Sequence, residues 1–338
     1  MSNTTIKVLA KKLNLSIATV SKALRDSHEI SSSTKQKVLE LAKQLNYVPN
    51  PYASSLRKRR SKTIAVVLPE VADSFFSLAI NGIEAVAQEK GYHVLIYLTH
   101  ESFIKEEAIL KDFQSGRVDG ILMSVSGETC QSDHVNEVIA TGIPVIFFDR
   151  ICEDVETASI VTDDFESSYK ATSHLIQKGC KKIVHLSISP NLSISNNRIK
   201  GYQKALSDYS IKTKEADIVL CTDDIQNNLA VIKKLLKRKD RPDGIIANAE
   251  KLTSPIYVAC KELGLSIPGD IKVICFTNLQ TALILNPPLT TITQPAFEMG
   301  KTAATVLFRA LGKSSANLKK ESVVIPSLLV VRNSTDVK

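Results

Sequence analysis

Between Leu15 and Leu24 the chain reads Ser16-Ile17-Ala18-Thr19-Val20-Ser21-Lys22-Ala23. On a helix that starts after Ser16, Val20 and Leu24 share a face suited to a small core, and Ile17, Ala18, Ser21 and Lys22 fall on the other side at the N-terminal end. Side chains in that position reach base edges in a major groove. Hydroxyls such as those of Ser16 and Thr19, with the unpaired N–H groups of the first turn, hold phosphates. A three-helix protein-interaction module would show the same core spacing, so charge has to separate the two readings. Residues 1 to 62 hold 13 Lys and Arg against 3 Asp and Glu, a net +10, which leaves −2 for the remainder of a chain whose total is +8. A small basic head on a near-neutral body implies one dedicated phosphate-facing module.

The elements that must position this helix are short. Apolar residues recur at helical spacing as Ile6, Leu9, Ala10 and Leu13, then Val20 and Leu24, then Val38, Leu41, Ala42 and Leu45, which predicts three helices around one core. Asn14 is suited to close the first, Ser16 to cap the second, and the Ser31 to Ser33 cluster to cap the third. Asn46-Tyr47-Val48-Pro49-Asn50-Pro51 then breaks the pattern. Tyr52 to Leu56 is compatible with a brief helix, and Arg57 to Lys62 is a basic linker, which places the domain boundary near residue 62. A helix this short is unstable alone in water, so it should form conditionally, and Leu56 could then wedge between base steps in the minor groove.

From Thr63 onward the pattern changes to short apolar runs separated by helix-length intervals. The strand candidates are Ile64 to Leu68, Val94 to Leu98, Gly120 to Val125, Val145 to Phe148, Ile183 to Leu186, Ile218 to Leu220, Gly244 to Ala247 and Val273 to Phe276. Such alternation implies parallel sheets covered on both faces. Eight strands and a pause at Thr162-Asp163-Asp164 favour two doubly wound subdomains over one.

Several chemistries find no support in the sequence. The six cysteines are scattered, without C-x-x-C or histidine at metal-ligand spacing, and read as small buried hydrophobes in a reducing compartment. Neither a secretory leader nor an apolar run of membrane-spanning length is evident, so a cytoplasmic location away from membranes is expected. Gly312-Lys313-Ser314 imitates the end of a phosphate loop, but Leu307 stands where the earlier glycine is required. No enzymatic activity, metal or cofactor is expected.

The head segment Lys11 to Leu24, followed by Asn46-Tyr47-Val48-Pro49-Asn50 and Ser55-Leu56-Arg57, resembles the DNA-binding end of lactose/galactose-repressor-type (LacI/GalR) regulators. The body resembles the same family in order: Val118-Asp119-Gly120-Ile121, Gly142-Ile143-Pro144-Val145, Phe148-Asp149-Arg150, Arg198 to Tyr202, Ile267 to Ile271, Leu289 to Pro295 and Glu298-Met299-Gly300. The resemblance implies an all-α helix-turn-helix head at 1–49, a hinge helix and linker at 50–62, and an α/β effector-binding and dimerisation domain of periplasmic-binding-protein-like architecture at 63–338. It places an N-subdomain at about 63–161 and 292–320 and a C-subdomain at about 162–291 and 321–333.

For function, the resemblance implies a repressor of transcription that binds double-stranded operator DNA as a homodimer and answers to a small effector, a sugar or sugar derivative. The DNA contacts it implies are Thr5, Ser16, Ile17, Ala18, Thr19, Ser21, Lys22, Asn50, Ala53, Leu56 and Arg57. The effector contacts are Phe75, Asp149, Arg198, Glu250, Asn278 and Gln294. Arg198 offers a planar donor fork, Asp149 and Asn278 pair with hydroxyls, and Phe75 gives an apolar wall. Two departures from the family pattern bear on the ligand. Ala249-Glu250 stands where many relatives have Asn-Asp, removing a cleft amide and lengthening a carboxylate, and Cys275 replaces the usual glycine of a late strand. Ile17 and Ala18 have little hydrogen-bonding capacity, so base reading there relies on thymine methyls or DNA shape.

Overall fold

The computed structural model describes residues 5–47, 61–212, 214–312 and 318–336. The chain separates into two compact units, residues 1–59 and 60–338, a break slightly ahead of the expected boundary. The expected hinge helix, with Asn50, Ala53, Leu56 and Arg57, lies outside the described residues.

The smaller unit is built from α1 (Ile6–Leu13), α2 (Ile17–Leu24) and α3 (Ser32–Gln44). Its helix ends follow from residue type. Asn14 adopts the left-handed conformation that terminates α1, with φ 54°, a geometry its short polar side chain tolerates. Ser16 accepts the Thr19 N–H at 3.0 Å and Ser31 accepts that of Thr34 at 3.4 Å, so each caps the helix that follows it. Leu9, Val20 and Val38 are fully buried, with Ala10, Ala23 and Ala42 between them. The alanines let the helices approach closely, and among the described residues they leave three larger side chains fully buried at the centre.

The larger unit begins with β1 (Thr63–Leu68), β2 (His93–Leu98), β3 (Gly120–Met123), β4 (Val145–Phe148) and β5 (Ser159–Thr162). It continues with β6 (Ile183–Ile188), β7 (Ile218–Cys221), β8 (Gly244–Ala247), β9 (Lys272–Phe276), β10 (Thr290–Thr293), β11 (Val323–Ile325) and β12 (Leu328–Val330). Two six-stranded sheets result, ordered β11-β5-β4-β3-β1-β2 and β12-β10-β9-β8-β6-β7, parallel throughout except for β12 against β10. The helices are α4 (Ser74–Glu89), α5 (Phe103–Phe113), α6 (Asp133–Ala140), α7 (Asp164–Gln177), α8 (Ser193–Asp208), α9 (Ile225–Leu236), α10 (Thr253–Leu263) and α11 (Ala296–Gly312).

Alternate residues of each central strand feed opposite cores, which is why the strands are apolar without interruption. In the first sheet Ile64, Val66, Leu68, Leu122, Ile146 and Phe148 pack under α4 and α11, and Ala65, Val67, Ile121, Met123, Val145 and Phe147 pack under α5 and α6. The second sheet does the same, with α9 and α10 on one face and α7 and α8 on the other. Glycine sets the closest helix contacts. A Cβ on Gly82 would fall on the carbonyl oxygen of Phe297, one on Gly300 on that of Ala79, and one on Gly201 on that of Phe165.

All eight expected strands are present, and the division into two doubly wound subdomains holds, but the crossovers differ from expectation. Thr290 to Ile292 pair with Ile274 to Phe276, so all of β10 belongs to the second sheet and the return to the first begins at Gln294 rather than at 292. The last crossing is later than the expected 321, because Val323 to Ile325 fill the open edge beside Ile160 to Thr162. The chain then crosses at Ser327, whose N–H is held by Asp163 Oδ1 at 2.7 Å.

Candidate functional site

Open parallel sheets place ligands at the carboxyl ends of their strands, and here two such edges face each other. The end of β1 leads to Glu70, Asp73 and the start of α4; the end of β4 gives Asp149 and Arg150; those of β6, β8, β9 and β10 give Ile188, Asn248, Phe276 and Gln294. Together they line a cavity of about 60 Å³, room for a few water molecules.

Each charged side chain in the wall is held by its own partners. Arg198, on α8, donates to Asp164 Oδ1 at 2.7 Å and to the Asn248 carbonyl at 2.6 Å, and stacks 4.1 Å over the Phe276 ring. Arg150 holds both carboxylate oxygens of Glu101, at 3.0 and 2.8 Å. Lys251 bridges Glu70 at 2.9 Å and Asp223 at 2.7 Å. Glu250 accepts the Ser74 N–H at 3.1 Å and the hydroxyls of Ser74 and Thr277. Asp149 has a left-handed backbone, φ 63°, and accepts the Ser124 hydroxyl at 3.2 Å.

Two of these contacts join one subdomain to the other, Glu70 to Lys251 and Ser74 to Glu250, and at the crossovers Gln294 Nε2 donates to Thr162 Oγ1 at 3.3 Å. Asp73 caps α4 by accepting the Phe75 N–H at 2.8 Å, a position that favours a carboxylate. Even so, burial, reinforced by the neighbouring Glu250, pushes its carboxyl up to about 7. Burial likewise lifts Asp149 to about 6 against the pull of Arg150 and Arg198.

In the smaller unit, Thr5, Ser16, Ile17 and Ala18 are exposed, and Thr19, Ser21 and Lys22 are half-buried. Ile17 is 47 % exposed, an apolar side chain facing outward at the first position of a capped helix. Lys22 is paired with Glu29, and Arg25 donates to the Ser21 carbonyl at 3.0 Å and to its hydroxyl at 3.2 Å.

Residues 61–332 match the family described as periplasmic binding proteins and sugar binding domain of LacI family, and residues 5–50 match bacterial regulatory proteins, lacI family. The chain belongs to the LacI family. It is accordingly a DNA-binding transcription regulator with an effector-binding domain. It is 30 % identical over 335 residues, 98 % of each chain, to the HTH-type transcriptional regulator DegA of Bacillus subtilis (strain 168). Among solved structures, a LacI family transcriptional regulator from Enterococcus faecium with bound ribose matches 80 % of this chain and 98 % of its own at 26 % identity and a TM-score of 0.71. The lac repressor dimer bound to operator and the anti-inducer ONPF matches 99 % of both chains at a TM-score of 0.85, and at 21 % identity that likeness is one of fold.

Within this LacI-family cavity the structure brings together Phe75, Asp149, Arg198, Glu250 and Gln294. Asn278 does not join them, because its amide is spent on the backbone of Gln294: Nδ2 donates to the carbonyl at 2.6 Å and Oδ1 accepts the N–H at 3.3 Å. An amide stands one position ahead of Ala249, at Asn248, where it is engaged within the wall, accepting the Ile188 N–H at 3.2 Å and donating to the Ser187 hydroxyl at 3.0 Å. Cys275 is buried, and its thiol, pushed up to about 12 by burial, behaves as a small apolar group. Not every cysteine is buried, however, since Cys130 is exposed and Cys152 half-buried.

Sequence reasoning missed Glu70, Asp73, Ser74, Asn248 and Thr277. Only Asp73, an aspartate just ahead of an amphipathic run, carried a readable signal, that of a helix cap.

These shifts set an unusual pH response for the effector domain. Asp73 and Asp149 keep protons on folding that the unfolded chain releases near 3.8, so the stability they contribute grows as pH falls below 7 and is lost as pH rises through about 6 to 7. His185 opposes them. It is fully buried with neither ring nitrogen hydrogen-bonded, and burial with nearby Arg198 pushes it down to about 3, so its contribution falls as pH drops below 6.5. Two groups outweigh one. The thermal midpoint is expected to rise from pH 8 to about pH 5, and to rise more steeply in His185→Leu. Melting at constant ionic strength checks this, and a midpoint that falls steadily over that range in both proteins contradicts it.

Proposed function

We propose that this LacI-family regulator is a cytoplasmic, non-catalytic repressor that grips its operator as a homodimer and changes that grip when a small polyhydroxylated effector enters the cavity. The observation that carries the reading is the set of contacts across the cavity. Glu70 to Lys251 and Ser74 to Glu250 tie the subdomains together directly beside a space of about 60 Å³. A ligand larger than a few waters must displace them, so occupancy and subdomain angle are linked. Phe75, Asp149, Arg198, Glu250 and Gln294 are proposed to contact the effector, with Asn278 acting through Gln294. The ribose bound to the Enterococcus faecium regulator supports a sugar-sized ligand.

On the DNA side, Thr5, Ser16 and Thr19 are assigned to phosphates, Ile17, Ala18 and Ser21 to base edges, and Lys22 to a phosphate in exchange for Glu29. Asn50, Ala53, Leu56 and Arg57 remain hinge contacts read from sequence. Leu283 and Ile284, 61 % and 81 % exposed, offer apolar surface to a second copy.

The test is selection of duplexes from a random library by the purified full chain, followed by affinity measurements at two salt concentrations with and without a panel of sugars. A two-half-site operator is expected, released or tightened at least about tenfold by one ligand. Lys22→Ala should weaken all sites alike and lower the salt slope by about one. Failure to select any specific site would overturn the repressor reading. A site indifferent to every small molecule would overturn the switch.

A further inference from the structure

Carboxyl groups outnumber cations around the cavity, Glu70, Asp73, Asp149 and Glu250 against Arg150, Arg198 and Lys251; Asp149 is buried, and Asp73 and Glu250 are half-buried. Arg150 is taken by Glu101, Arg198 by Asp164, and Lys251 by Glu70 and Asp223. What is left around the space is Asp73, Asp149 and Glu250. Their hydrogen-bond donors are neutral: a backbone N–H for Asp73, a hydroxyl for Asp149, and an N–H with two hydroxyls for Glu250. Neutral donors satisfy lone pairs but do not cancel charge. Arg150 Nε, a buried donor with no hydrogen-bond partner among the described residues, stands 3.8 Å from Asp149 Oδ2, a long ion pair outside hydrogen-bonding distance. Asp149 is 7 % exposed, lines the cavity, and has no partner on Oδ1 among the described residues.

The remaining lining is of another kind. Arg198 and Gln294 can meet hydroxyl or ring oxygens, and the Phe75 ring supplies an apolar surface. A linear polyamine would use the carboxylates and leave these groups unmatched, and a plain sugar would use these groups and leave the carboxylates without a cation.

We propose that the effector is a protonated amino sugar or closely related amino polyol, its ammonium placed among Asp73, Asp149 and Glu250 and its hydroxylated ring against Phe75 and Arg198. The proposal rests on the reading of this cavity as the effector site, and narrows it to a cation.

The full chain should be titrated calorimetrically with glucosamine, galactosamine and mannosamine, each beside its parent hexose and its N-acetyl derivative, with putrescine as the amine without a ring. At least one amino sugar is expected to bind at least about tenfold more tightly than its parent, its N-acetyl form and putrescine. Asp149→Asn and Asp73→Asn should each remove about tenfold or more of that affinity. Asparagine keeps the acceptor oxygen that each carboxylate offers to the Phe75 N–H or the Ser124 hydroxyl, so both variants should melt no lower than the parent protein, which separates lost recognition from lost folding. Equal binding of a neutral sugar, absence of binding by all three amino sugars, or affinity unchanged in both variants would each overturn the proposal. Operator release by a neutral sugar discards the cation and keeps the repressor switch, whereas operator affinity that no small molecule alters removes the switch itself.

Discussion

Arg198→Met is expected to lower the stability of the effector domain by about 3 to 5 kcal/mol, because it leaves the Asp164 carboxylate buried without its counter-ion. Arg198 and Asp164 are 4 % and 6 % exposed, so water does not replace the lost guanidinium. The Asn248 carbonyl loses its donor as well, and Phe276 loses the cation stacked on it. In a domain of this size that loss corresponds to a fall of roughly 6 to 20 °C in the thermal midpoint. Removing the carboxylate too should reverse most of it, since an apolar pair of similar volume is often no worse than a buried ion pair. Arg198→Met with Asp164→Leu is therefore expected to melt close to the parent protein while still failing to respond to effector. Calorimetric melting of the two single variants and the double variant measures the coupling. If Arg198→Met melts within about 1 kcal/mol of the parent protein, the pair is not the support described here.

That result would also separate two roles that the sequence could not. Arg198 was readable as a donor fork for a ligand, and its structural partner was hidden because Asp164 lies 34 positions away at a crossover, where Thr162-Asp163-Asp164 looked only like a pause. Strands buried on both faces announced themselves as continuous apolar runs, so β1, β3, β4, β6, β8 and β9 were legible, and the edge strands β2 and β7 were legible from their apolar sequence although much of each is exposed. The four that were not have polar or exposed positions. Ser159 to Thr162 and Thr290 to Thr293 alternate or cluster hydroxyls, and Val323 to Ile325 and Leu328 to Val330 are three-residue edge strands left largely exposed.

Cavity residues were legible when a recognisable motif contained them, as for Asp149 and Arg198. Glu70, Ser74 and Thr277 were not, because their role arises only when the ends of β1, β8 and β9 converge. Asn278 shows the converse. Its type and position fitted a ligand contact, and the fold uses it to fix Gln294 instead.

The largest functional effect should come from one apolar side chain in the smaller unit. Leu9→Ala in α1 removes one of the three large side chains that are fully buried among the described residues of the smaller unit, the others being Val20 and Val38. A buried leucine replaced by alanine costs about 2 to 5 kcal/mol, and a core of this size rarely supplies more than about 3 to 5 kcal/mol in total. Ala10, Ala23 and Ala42 already bring the helices close, so little slack remains for collapse into the space. The head should be mostly unfolded at 37 °C, and α2, whose first turn carries Ser16, Ile17 and Ala18, should no longer present a fixed surface to DNA. Specific operator binding is expected to fall about tenfold or more, the loss following the unfolded fraction. The effector domain is a separate compact unit, so its melting and ligand binding should stay as in the parent protein. Circular dichroism, effector titration and operator binding on the same preparation check all three. Leu9→Met preserves volume and should recover most of the operator affinity. Full operator affinity in Leu9→Ala would mean that DNA itself supplies the folding energy the core has lost, and the head would then have to be described as folding on its site.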